Sequence, residues 1–217
     1  MTHFDLVLRA SRVITADGDV ARSIGVVDGR ITAIEALEAD LDADLIVAAG
    51  PDEVVLPGLV DTHVHVNEPG RTQWEGFETA TRAAAAGGVT TILDMPLNSV
   101  PPTVDVAALE AKKDAAEGKC HVDVGFWGGA VPGNDAELKA LHDAGVFGFK
   151  CFLLPSGVEE FPHLSAAEFE DHLQVLRTFD ALMIVHAEDY AAIGHAPDPH
   201  GRVYGDFLRS RPRGRRT

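Results

Sequence analysis

The stretch VVLPGLVDTHVHVNEPG, residues 54–70, is apolar up to Val60 and then turns polar. Side chains alternate along a strand, so Asp61, His63 and His65 fall on one face. Two imidazoles on one face at a strand's end make a ready metal site, with Zn–N distances of about 2.0–2.1 Å. A hydrogen-bonded pair of core histidines has the same spacing, and the stretch alone leaves both readings open.

Downstream, apolar runs alternate with helix-like segments. VTTILDMP, HVDVGFW, VFGFKCFLL and ALMIVHAED read as further strands, giving five with residues 54–66. Four helices separate them, within residues 72–88, 103–118, 134–145 and 165–179. Asn134 is a candidate N-cap, and Ser165 with Glu168 three residues on forms a capping box. The strands are continuous apolar runs with both faces buried, the signature of a parallel α/β sheet. Upstream, FDLVLRA, RVITA, SIGVVDG and RITAIEA read as short strands, with Asp28-Gly29 as a hairpin turn.

Two more residues join the histidine pair. Lys150 lies inside an apolar strand, and His186 ends another. A buried lysine needs either a salt-bridge partner or a depressed pKa that leaves the amine neutral. His63, His65, Lys150 and His186 all fall at the C-terminal ends of parallel strands, the edge where such folds carry their sites. Cys151 points away from Lys150 and suits core packing, and the other histidines read as surface or packing residues.

Composition narrows the class. The chain is 46% hydrophobic and 24% charged, with a net charge of −16, which disfavours nucleic acid and anionic membranes as partners. It has no run of about 18 apolar residues, no signal-peptide pattern and only two cysteines, so a reduced, cytoplasmic setting is expected. Five arginines (Arg209, Arg211, Arg213, Arg215, Arg216) crowd the C-terminal end.

GLVDTHVHVNEPG, DMPLNSVPPT, GFKCFLLPSGVEEF and VHAED together resemble the cyclic amidohydrolases, and among them the allantoinase group. The resemblance implies an α/β fold, an incomplete (β/α)8 TIM barrel with a small N-terminal β-sandwich portion. Its expected parts are residues 1–53 (sandwich part), 54–208 (the first five βα units) and 209–217 (an arginine-rich tail, disordered or a frameshift scar). It also implies two divalent metal ions, of which zinc is the usual one. His63, His65 and His186 would be ligands, as would Lys150 carboxylated by carbon dioxide. A metal-bridged hydroxide would then open a cyclic amide.

Asn67 stands where dihydroorotases carry a carboxylate-gripping arginine, which suits an uncharged ring such as allantoin. Asn98 and Ser156 are further substrate-binding candidates, Ser156 because the oxyanion tyrosine of hydantoinases is replaced by Pro155. Full-length relatives are often tetramers. The family's proton-shuttling aspartate would lie past residue 217, so the chain alone is expected to be inactive or nearly so. The alternatives are a hydantoinase, dihydropyrimidinase or dihydroorotase, a non-catalytic scaffold on the same fold, or completion by a second polypeptide.

Overall fold

The computed structural model describes residues 2–211, which fall into two compact units divided between residues 58 and 59. In the first, β1 (His3–Thr15), β2 (Gly18–Val27), β3 (Arg30–Ala36) and β4 (Asp42–Ala48) form one sheet in the order β3-β2-β1-β4. FDLVLRA and RVITA are a single strand, β1, with a register shift between Ala10 and Val13. The β2–β3 hairpin turns at Asp28 and Gly29, with φ of 51° and 71°. Positive φ at both turn positions matches the right-handed twist of the flanking strands, and Asp-Gly tolerates it. β4, not anticipated from sequence, pairs parallel to β1.

Among the described residues up to 58 the strands form one four-stranded sheet. One expected boundary shifts. The boundary falls at 58 rather than 53, because Val55 bridges to Val13 and exchanges backbone hydrogen bonds with Arg12 and Ile14. The strand expected over 54–66 is therefore split between the units.

The second unit contains β5 (Leu59–Val64), α1 (Phe77–Ala86), β6 (Val89–Asp94), α2 (Val106–Ala116), β7 (Asp123–Phe126), β8 (Gly128–Gly129), α3 (Leu138–Asp143), β9 (Phe149–Phe152), α4 (Ala166–Arg177), β10 (Met183–His186), α5 (Tyr190–Gly194) and α6 (Tyr204–Arg209). All its strand pairings are parallel, β5-β6-β7 and β8-β9-β10. β7 and β8 are one extended segment interrupted at Trp127, whose N–H donates to Asp94 while Gly128 donates to Gly148. The segment thus hands over from β6 to β9. Gly148 allows the next approach, since a Cβ there would sit 2.7 Å from the Leu182 carbonyl oxygen. The result is five parallel segments in chain order, each followed by helix.

The helices cover one side of these strands. Leu109 of α2, Leu138 and Leu141 of α3 and Leu176 of α4 pack with Phe149 and Cys151, all essentially inaccessible. Leu59, Val60 and Leu182, on the edge strands or beside them, are more than half exposed. No helix among the described residues is long and apolar enough to cross a membrane.

Local signals resolve in two ways. Ser165 and Glu168 form the expected capping box on α4. Asn134 stands at the N-cap position of the 3-10 turn Asp135–Glu137, but its side chain makes no capping bond. Its buried amide accepts from Val131 N and donates to the carbonyls of Val104 and Gly129, and a short 3-10 turn precedes α3. At the C-terminal end of the described residues, Arg209 closes α6 and Arg211 pairs with Glu188 at 3.0 Å. Arg213, Arg215 and Arg216 lie outside the described residues.

Candidate metal centre

His63 is the penultimate residue of β5, and His65 follows directly after the strand. Their rings are 5.5 Å apart between centroids. Asp61, on the same face, accepts a hydrogen bond from the His63 backbone N–H at 3.0 Å. His65 Nδ1 lies 2.9 Å from the Leu97 carbonyl oxygen. A carbonyl only accepts, so Nδ1 carries the proton and Nε2 keeps its lone pair, the form a metal ligand needs. Burial pushes the His65 pKa down, with Leu97 opposing and the nearby His63 and Lys150 adding to the fall.

Lys150 sits in the middle of β9 and is 4% exposed. The salt bridge that would make it an ordinary buried lysine is not there. Among the described residues its ammonium has no hydrogen bond or carboxylate partner, and the Phe152 ring lies 4.8 Å from Nζ to the centroid. Burial pushes the Lys150 pKa down. Lys150 and His63 line one cavity of about 430 Å³, with Thr62, Leu93 and Trp127 among its walls. Trp127 Nε1 donates to the Thr62 carbonyl at 3.0 Å, tying that wall to β5.

His186 ends β10 at the same edge, opposite Phe152 in register. Its ring stacks on Phe152 at 5.1 Å, and Nε2 lies 2.9 Å from a Glu188 carboxylate oxygen. His63, His65 and Lys150 are thus brought together, while His186 is turned toward Glu188 behind the Phe152 ring. Among the described residues no three histidine, cysteine or acidic side chains are grouped to hold a metal ion. The donors fit a cation pair only if Lys150 contributes oxygens. An unpartnered lysine whose pKa burial lowers, beside two imidazoles, suits carboxylation.

The substrate-side candidates are placed differently. Asn67 is buried, and its Oδ1 accepts from Asn98 Nδ2 at 3.0 Å. Ser156 donates to the Phe161 carbonyl at 2.6 Å, so its proton is committed to its own loop.

Sequence reading missed the polar support beneath the site. Asp94, at the end of β6, and Lys112 of α2 form an ion pair at 2.7 Å with both side chains fully buried. Asp94 also accepts from Val66 N, next to His65, and Lys112 donates to the Met95 carbonyl. Lys112 continues the buried stripe of Ala108, Leu109 and Ala116, a helical spacing that marks it as inward-facing. Glu68 accepts from Phe77 N at the start of α1 and pairs with Lys119.

Comparison with known proteins places this arrangement. The Amidohydrolase family pattern matches residues 54–202. The chain is 55% identical to an allantoinase of Streptomyces avermitilis over 213 residues, 98% of this chain and 48% of that protein. It is 56% identical to an allantoinase of Saccharomyces cerevisiae over 160 residues, 73% of this chain and 35% of the relative. Among solved structures, L-hydantoinase (dihydropyrimidinase) from Arthrobacter aurescens matches with a TM-score of 0.86 at 33% identity, covering 96% of this chain and 47% of that one. The chain spans about half the length, or less, of the curated relatives it matches. On the extent of the pattern and the level of identity, the chain belongs to the amidohydrolase family.

Proposed function

We propose that the whole protein hydrolyses a cyclic amide, with allantoin as the substrate and allantoate as the product, and that His63, His65, Lys150 and His186 are its metal ligands. Amidohydrolases and their hydantoinase neighbours are generally binuclear metal enzymes. The observation that carries the reading is Lys150, 4% exposed and without a counter-charge, beside His63 and His65. A lysine in that setting costs stability as a cation. Carboxylation removes the cost. The neutral amine nitrogen attacks the carbon of carbon dioxide and releases one proton, and the product is an anion with two oxygens.

Bound divalent cations would supply electrophilic activation of a ring carbonyl and of water. The chain's own residues supply the setting. Burial disfavours the charged form of His65, and its bond to Leu97 fixes the proton on Nδ1 and leaves Nε2 free. His186 would take part by leaving Glu188. Leu93 and Trp127 form apolar walls of the cavity. The Asn67–Asn98 pair leaves Asn67 Nδ2 and Asn98 Oδ1 without a hydrogen bond among the described residues, one donor and one acceptor for the N–H and C=O groups of a ureide. An uncharged pair suits a ring without a carboxylate.

The test is equilibrium binding of allantoin, hydantoin, dihydrouracil and dihydroorotate to the zinc-loaded chain. Allantoin should bind most tightly. Preference for dihydroorotate, or no binding of any ring, would contradict the reading. The relatives named allantoinase favour allantoin over the hydantoin alternative.

A further inference from the structure

Arg71 follows β5 in the loop of residues 65–76, yet its side chain is spent on two other loops. Nη1 donates to the Asn98 carbonyl at 2.7 Å, after β6, and to the Glu160 carboxylate, after β9. Its guanidinium also lies over Trp74, 5.0 Å from the ring centroid. The backbone N–H of Arg71 donates to the Asn67 carbonyl at 2.9 Å, and Asn98 Nδ2 donates to Asn67 Oδ1. Asn67, Asn98 and Arg71 therefore close a ring of three hydrogen bonds, with Glu160 attached from outside.

We propose that Arg71 is a positioning residue that joins the loops after β5, β6 and β9 and holds the Asn67–Asn98 pair in register over the candidate metal centre. This rests on the reading above that the pair faces substrate. An exposed ion pair contributes little because two long side chains must be immobilised in water. This one is three-quarters buried, with side-chain exposures of 22% for Arg71 and 26% for Glu160. The guanidinium is planar and stacked on Trp74, so its donors are fixed in direction. The two asparagines lie in the loops after different strands, and Arg71 is the side chain that bonds to the backbone of one while its own backbone bonds to the other. Loss of the tie lets the asparagines move independently, and small misplacements of binding groups are costly.

The test uses the full zinc-loaded chain as wild type, Arg71→Met, Arg71→Lys and Glu160→Gln. Amide hydrogen exchange is followed over residues 96–103, 156–162 and α4, with thermal melting and equilibrium binding of allantoin measured in parallel. Arg71→Met should speed exchange in both loops but not in α4, leave zinc content unchanged, and weaken allantoin binding about tenfold or more. Arg71→Lys is shorter and does not stack as a plane. It should recover melting and the protection of residues 156–162, but not allantoin affinity. Glu160→Gln, the milder change, should loosen residues 156–162 alone.

Unchanged loop exchange in Arg71→Met would overturn the proposal. So would an Arg71→Lys protein that regains affinity together with melting, because any cation would then serve. If the wild type binds no allantoin, the substrate reading falls, and the exchange pattern alone decides whether the tie exists.

Discussion

The buried pair beneath the site gives a quantitative test. In Lys112→Met the Asp94 carboxylate loses its one cationic partner among the described residues and the Met95 carbonyl loses a donor. Both side chains of the pair are fully buried, so solvent cannot substitute. Stranding one member of such a pair costs about 3–5 kcal/mol, a large share of a typical stability of roughly 5–15 kcal/mol. The penalty should also depend on pH. Burial already raises the Asp94 pKa from 3.8 to about 6, against the pull of Lys112 and the bond from Val66. An acid whose folded pKa is raised contributes stability that is present below its unfolded pKa and lost as pH rises through the folded one. Without Lys112 the folded pKa climbs further. Relative to wild type, the Lys112→Met deficit should therefore be largest near pH 8 and shrink by pH 5.5, as Asp94 takes up a proton. Adding Asp94→Asn removes the stranded charge and should recover most of the loss, leaving about 1 kcal/mol for the unpaired Met95 carbonyl. Urea denaturation at the two pH values measures all three proteins. A Lys112→Met cost under about 1 kcal/mol, or one that is equal at both pH values, would refute the argument.

Other outcomes follow from single contacts. Ser165→Ala removes the capping box of α4 and should cost about 1 kcal/mol in denaturation experiments. Leu141→Ala opens a cavity in the inaccessible cluster around Phe149 and should cost about 2–5 kcal/mol, read the same way. His65→Gln retains a hydrogen-bonding side chain but loses the imidazole lone pair, so bound zinc measured by elemental analysis should fall while the melting temperature changes little.

Much of the second unit was legible in the sequence for one physical reason. Strands buried on both faces must be continuous apolar runs, so VTTILD and FGFKCF stand out, and a lysine within one stands out further. The Asp28-Gly29 turn and the Ser165–Glu168 box were legible because their partners are a few residues away. β4 was not. DLDADLIVAA begins with alternating acids, and its strand character comes from parallel pairing with β1, about forty residues earlier. His186 was correctly placed at a strand end, but its bond to Glu188 and its stacking on Phe152 depend on how β9 and β10 pair. Arg71 did not stand out because nothing local announces Asn98 or Glu160 as its partners. Lys112 was hidden by its neighbour. Lys113 is partly exposed and pairs with Glu110, and only the Ala108–Leu109–Ala116 stripe separates the two lysines.

The central claim is that the amine of Lys150 exists as a carboxylated ligand. The chain, equilibrated with 13C-bicarbonate and zinc, should show a protein-bound carbamate carbon in its 13C spectrum, and Lys150→Met should not. No such carbon in the wild type, or the same signal in both proteins, would contradict the account.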